Sequence, residues 1–120
     1  MEEATPLQAI IDYCKRKKAA IEDYPFGPEP LVMKVGGKMF ALISDSSISL
    51  KCDPAIAENL REQHEAVKPG YHLNKKHWNT VLVDGSMETD DIWAMIDHSY
   101  ALVVSKLTKA ERERVEEAAK

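Results

Sequence analysis

The chain is poor in several features that mark particular classes of protein. It has two cysteines, Cys14 and Cys52, and no CxxC pair, which excludes a four-cysteine zinc site and does not favour a disulfide framework. We expect both to be buried free thiols in a reducing compartment. No apolar run approaches the roughly 20 residues of a membrane span, and residues 1–6 lack the layout of a signal peptide. These absences predict a cytoplasmic protein with no membrane partner.

Enzyme motifs are absent as well. The sequence contains no HExxH zinc motif, no Walker phosphate loop, no GxGxxG turn and no nucleophile elbow. His72 and His77 lie five positions apart, which is not a common spacing for two ligands of one metal. The neighbours Asp90 and Asp91 diverge on a helix instead of converging. We therefore expect no enzyme, no metal and no cofactor, with a catalytic or small-molecule cleft built from Tyr71, His72 and His77 as an alternative.

What is present is typical of one small globular domain. The chain has 120 residues, of which 44% are hydrophobic and 30% charged. Lys plus Arg number 16 against 20 Asp plus Glu, so the formal net charge is −4. A globally basic nucleic-acid binder is therefore not the default, although a local basic patch is compatible with this balance.

A β-hairpin is the clearest local structure. Gly36-Gly37 supplies the positive φ angles of a two-residue turn between apolar runs at 31–35 and 38–43. The predicted register pairs Val35 with Lys38, Met33 with Phe40, and Leu31 with Leu42. Lys34 then projects from the face opposite to these apolar residues.

The remaining signals predict the order α-β-β-β-α-β-β-α, an α+β two-layer sandwich with an antiparallel sheet and helices on one face. One helix starts at Pro6 after a Thr5 cap, and another starts at Pro54 after an Asp53 cap. The other predicted elements are strands at 47–52, 71–73 and 78–83, a helix at 89–106 and a charged tail helix opened by the Thr108 capping box.

Charge is strongly segregated along the chain. Residues 66–80 contain three lysines, two histidines and no acid, whereas residues 81–97 contain five acids and no base. Lys34, Lys38 and Lys51 add positive charge at outward strand positions. The net charge is therefore an average over a basic stretch, an acidic stretch and a neutral tail.

The basic stretch is the best candidate for a binding element. Between Tyr71 and Asn79 it interleaves aromatic rings, amides and cations, which can stack on bases, pair with base edges and neutralise phosphates. The alternative is a solvated loop followed by a strand whose Trp78 packs into the core. The predicted nucleic-acid-binding residues are Lys34, Lys38, Lys51, Tyr71, Asn74, Lys75, Lys76 and His77.

Five motifs in order resemble the MmcQ/YjbR family of small bacterial proteins. They are Tyr24-Pro25-Phe26-Gly27, residues 34–40, Leu50-Lys51-Cys52, residues 69–79 and Asp97-His98-Ser99-Tyr100. The resemblance spans about 5–107, which implies a domain at 1–107 with the charged tail at 108–120 outside it. It implies a CyaY-like or secretion-chaperone-like two-layer fold and no enzymatic activity.

The resemblance also implies DNA binding through two projecting elements, described as a double wing. On this sequence the first wing is the hairpin with Lys34 and Lys38, and the second is residues 69–78 with Lys75, Lys76 and His77. The alternative function is a protein-interaction or chaperone-like adaptor that uses the exposed sheet or helix face. We expect a monomer or weak dimer.

Overall fold

The computed structural model describes residues 6–71 and 73–118, and within them the protein is an α+β fold. Its helices are α1 (Leu7–Lys15), α2 (Pro54–Gln63), α3 (Thr89–Ser105) and α4 (Lys109–Glu117). Its strands are β1 (Ile21–Asp23), β2 (Leu31–Val35), β3 (Lys38–Ile43), β4 (Ser47–Lys51), β5 (Val67–Pro69) and β6 (Trp78–Leu82). The strands form one antiparallel sheet in the order β1-β2-β3-β4-β6-β5. The predicted fold class is confirmed.

The helices pack on one face of the sheet. Met33, Phe40 and Ile48 from the strands are fully buried against Ile10 of α1 and Ile96 of α3. The opposite face, which we call the open face, carries no helix in the part of the chain that is described. Except at one point of β3, its side chains alternate with the core residues along the strands, as the two-residue period of a strand requires.

The hairpin register matches the prediction at the turn but differs from it farther along the two strands. Val35 pairs with Lys38 as expected, but Met33 pairs with Ala41, and Leu31 pairs with Ile43. A β-bulge between Met33 and Lys34 leaves one extra residue on β3, which shifts all later pairs by one. Phe40 and Ala41 are consequently both fully buried, and Leu42 turns to the open face. The predicted Met33–Phe40 and Leu31–Leu42 pairs are wrong for this reason.

Two strands also differ from the prediction: one lies at other residues, and the other was not predicted. The short strand expected at 71–73 is β5, four residues earlier, because Val67 is buried beside β6 and Pro69-Gly70 then ends the strand. Strand β1 is absent from the prediction. It is three residues long, carries two acids and pairs with the edge of β2.

Helix starts follow the predicted capping rules with one shift. Asp53 caps α2 by accepting a hydrogen bond from the Ala55 N–H at 3.0 Å, with Pro54 in the first turn. Helix α1 begins at Leu7, with Pro6 at the N-cap position instead of inside the helix. The predicted cap Thr5 lies outside the described residues.

Candidate nucleic-acid interface

The strand register brings the predicted lysines to one end of the sheet. Lys34 lies opposite Met39 beside the Gly36-Gly37 turn, at the end of β2 where β3 begins. Lys51, at the end of β4, pairs with Trp78, the first residue of β6. The segment before β6 joins the same end, since the Cys52 N–H donates to the His77 carbonyl at 2.8 Å. We call this region the basic end, defined by Lys34, Lys38, Lys51, Lys75, Lys76 and His77.

Two of these lysines have carboxylates nearby. Lys34 Nζ lies 2.9 Å from Asp23 on neighbouring β1, and this hydrogen bond lowers the pKa of the Asp23 carboxyl. Hydrogen bonds from Thr108 lower the pKa of Glu111 on α4, and the charge of Lys38 lowers it further. Lys34 and Lys38 are therefore partly compensated, which reduces their attraction for a phosphate.

The predicted second wing is a compact series of turns. Asn74 Oδ1 accepts hydrogen bonds from the backbone N–H groups of Lys76 at 2.9 Å and His77 at 3.3 Å. Asn74 is thus occupied in forming the turn, as asparagine commonly is in loops. Lys75 Nζ donates to the Gly70 carbonyl at 2.9 Å. The side chains of Lys75, Lys76 and His77 are all exposed, so these three groups of the segment are accessible.

Arg61 is an organising residue that sequence reasoning missed. From α2, its Nε donates to Asn79 Oδ1 at 2.7 Å, and its Nη2 donates to the carbonyls of Trp78 (3.2 Å) and Lys75. The guanidinium therefore holds the start of β6 and the preceding turn together. No local pattern in the sequence connects Arg61 with Asn79, because 18 positions separate them.

Trp78 is buried, whereas Tyr71 is exposed to solvent. Trp78 is 8% exposed, so its predicted burial is confirmed, and strand alternation puts its side chain on the open face beside Gly70. Tyr71 is 71% exposed, and its backbone N–H donates to Thr80 Oγ1 at 3.0 Å. His72 lies outside the described residues.

The acidic stretch begins at the other end of the sheet. Asp84 follows the end of β6 and accepts hydrogen bonds from Ser86 that lower its pKa. Helix α3 begins shortly after it, with Asp90 and Asp91 in the first turn, and runs back toward the basic end. This direction is clear because Leu107, just beyond α3, lies against Gly36, at 2.8 Å from the position that a Cβ would take.

The described residues contain neither a metal-ligand cluster nor a membrane-spanning helix. Within residues 6–71 and 73–118, no three His, Cys, Asp or Glu side chains group closely enough to hold a metal ion. His98 Nε2 instead accepts a hydrogen bond from the Asp53 N–H at 3.2 Å. Among the helices described, none combines the length and apolar character needed to cross a membrane.

Comparison with known proteins identifies the family. The family model YjbR matches residues 15–102. The chain belongs to the YjbR family. Among YjbR relatives, the Escherichia coli K12 protein named "Uncharacterized protein YjbR" is 34% identical over 110 residues, covering 88% of this chain and 93% of the relative. The protein YbdF of Escherichia coli O157:H7 is 40% identical over 96 residues, covering 77% and 79% of the two chains.

Solved structures of similar chains share the YjbR fold. Protein DR2400 of Deinococcus radiodurans, described with the family domain DUF419, superposes with a TM-score of 0.86 at 37% identity, covering 94% of this chain and 89% of its own. A Pseudomonas syringae protein gives a TM-score of 0.69 at 30% identity, covering 79% and 96%. The predicted membership of the YjbR family is confirmed.

Proposed function

We propose that this YjbR-family protein is a non-enzymatic, sequence-tolerant DNA-binding protein that contacts phosphates with its basic end. The main supporting observation is the strand register, which gathers the lysines of two distant segments at one end of the sheet, whereas Asp84 follows the opposite end of β6. Such separation creates a local positive potential despite the net charge of −4.

Within the basic end, Lys51, Lys75 and Lys76 are the main phosphate contacts. Within the described chain, no ion pair to a carboxylate involves these three, whereas Lys34 pairs with Asp23. The lysine charge attracts phosphate irrespective of the bases, so contacts of this kind position a duplex without reading its sequence. Tyr71 and His77 are exposed and can contribute aromatic faces to an unpaired base.

The salt dependence of duplex binding tests the proposal. Neutralising about three phosphates predicts that log K falls with log salt at a slope near −2.7. Fluorescence anisotropy of a labelled duplex, titrated at low and at moderate salt, measures this slope. Absence of binding at low salt, or binding that is insensitive to salt, would contradict the proposal.

A matched pair of charge reversals locates the contact. Lys76→Glu should weaken binding to all duplexes alike and reduce the slope by about one unit. Lys68→Glu makes the same charge change in the middle of β5, away from the basic end, and should leave the slope unchanged. Equal effects of the two variants would show that net charge alone governs the binding and that the basic end does not.

The alternative function, a protein-interaction adaptor, rests on the exposed aromatic residues before β2. Tyr24 is 53% exposed and Phe26 is 63% exposed. A complex with a protein partner that is stable to nuclease, together with no affinity for duplex DNA, would favour the adaptor.

A further inference from the structure

A groove crosses the open face of the sheet, away from the basic end. It encloses about 650 Å³, within the range of small-molecule sites. Its apolar lining residues include Phe26, Pro30, Leu42, Tyr71, Leu73 and Leu82. Phe26 and Tyr71, both largely exposed, stand on loops at its two sides. Leu82 is exposed as well, whereas Pro30, Leu42 and Leu73 are half-buried. A cluster of exposed and half-buried apolar side chains around one concavity is typical of a binding surface.

The groove has a regular floor because one row of paired residues runs across four strands. Leu42 of β3 pairs with Ser49 of β4, Ser49 pairs with Thr80 of β6, and Thr80 pairs with Lys68 of β5. Three inter-strand steps of about 4.8 Å make this row about 14 Å long. The site therefore fits an elongated ligand that lies across the strands.

The centre of the floor offers few free hydrogen-bonding groups, although Ser44 and Ser47 also belong to the lining of the groove. The hydroxyls of Ser49 and Thr80 bond each other at 2.8 Å, and Thr80 Oγ1 also accepts from the Tyr71 N–H. The strand backbones beneath them are paired within the sheet. A peptide laid here would leave backbone amides without partners, which is costly once water is excluded. A hydrocarbon or aromatic body carries no such cost.

Charge at the groove is confined to one end. Lys68, on the edge strand β5, is the one charged residue among the described residues that line it. In this described lining there is no carboxylate, and no ion pair of the described chain involves Lys68. An apolar groove with a cation at one end is complementary to an apolar molecule with a terminal anion.

We propose that this groove binds a small molecule with an elongated apolar body and a terminal carboxylate, which pairs with Lys68. The apolar body lies over Leu42 and Leu82, between Phe26 and Tyr71. Tyr71 is shared with the proposed nucleic-acid contacts, but none of the six residues that define the basic end lines the groove, so the proposal does not depend on DNA binding.

Isothermal titration calorimetry with decanoate and with decanol tests both parts of this ligand. Decanoate should bind more tightly than decanol, because only decanoate can pair with Lys68. Lys68→Ala should weaken decanoate about threefold and leave decanol unchanged. Leu82→Asn should weaken both ligands at least about tenfold, since it removes apolar contact area. Leu82 is 38% exposed, so this variant is expected to fold.

Lys76→Ala, which removes a lysine of the basic end, is the matched control and should bind both ligands as the parent does. Absence of decanoate binding at millimolar concentration would overturn the proposal. Wild-type affinity in both Lys68→Ala and Leu82→Asn would overturn it too. A dimer that Leu82→Asn dissociates, without decanoate binding, would assign the face to a second copy of the chain and reject the small molecule. Binding of a labelled DNA duplex by Lys68→Ala is measured in parallel. Because the two sites are measured separately, failure of decanoate binding can be distinguished from failure of DNA binding.

Discussion

Ser99 connects the helix layer to the sheet with a single hydroxyl. It lies in the apolar stripe of α3 and is fully buried. Its Oγ donates to the Phe40 carbonyl at 2.6 Å and accepts from the Lys51 N–H at 2.9 Å. Both backbone groups lie beside the β-bulge, where the regular ladder is interrupted. One side chain thus satisfies a donor and an acceptor that the sheet leaves without strand partners.

Ser99→Ala should therefore destabilise the protein by about 2–3 kcal/mol, because it leaves two buried backbone groups without partners. Urea unfolding followed by circular dichroism measures the loss. Ser105→Ala, an exposed serine of the same helix, is the control and should change stability by less than about 0.5 kcal/mol. Equal stability of the two variants would contradict this prediction and would mean that water or a shift of α3 replaces the Ser99 hydroxyl.

The burial of individual residues was predictable from the sequence where it depends on hydrophobicity. Cys14 and Cys52 are both free and buried, as expected. Burial raises the pKa of the Cys14 thiol to about 12, against the opposing charge of Lys17, so this thiol is a poor nucleophile. The occupation of Asn74 by its own turn was not predictable, since a turn-forming and a base-reading asparagine look alike in a sequence.

At the scale of elements, capping signals were the most dependable. The predicted Thr108 capping box is present: the Glu111 N–H donates to Thr108 Oγ1 at 3.1 Å, and the Thr108 N–H donates to Glu111 Oε1 at 2.9 Å. These bonds involve residues three positions apart, so the local sequence suffices to form them. The β-bulge, by contrast, depends on how β3 packs against α3.

The capping box should make the stability of α4 depend on pH. Hydrogen bonds from Thr108 hold the pKa of Glu111 below its ordinary value of 4.5. Ionised Glu111 thus stabilises the folded state above that value, and the contribution is lost as the pH falls through the lower folded-state pKa. Glu111→Ala should lower the thermal midpoint at neutral pH, and the difference from the parent should shrink in acid.

Thermal unfolding of both proteins across this pH range provides the measurement. Glu113→Ala removes an exposed carboxylate from the same helix and is the control. A difference for Glu111→Ala that stays constant down to strong acid would mean that the capping carboxylate does not contribute.

At the scale of the whole molecule, α4 is packed against the domain. Val115 is 6% exposed and belongs to the hydrophobic core, and Lys18 Nζ donates to the Glu116 carbonyl at 2.7 Å. The domain boundary at residue 107 that the resemblance implies stays a prediction. The burial of Val115 indicates that the tail contributes to the stability of the fold.

A chain that ends at Leu107 should consequently unfold at a lower urea concentration than the full chain. The loss of Val115 burial alone corresponds to roughly 1.5–3 kcal/mol. Val115→Ala in the full chain should reproduce part of the effect, whereas an unchanged midpoint in the shortened chain would show that the tail is independent of the domain.

The sequence by itself determined the α+β class, the YjbR family, the Gly36-Gly37 turn and the caps of α2 and α4. These depend on periodicity, on backbone preferences and on residues a few positions apart, all of which are local. Only the tertiary structure decided the bulge at Phe40, the pairing of β1, the compensation of Lys34 by Asp23 and the groove beside Lys68. Each of these requires contact between distant segments, and the free energy that selects such contacts comes from packing and charge in three dimensions.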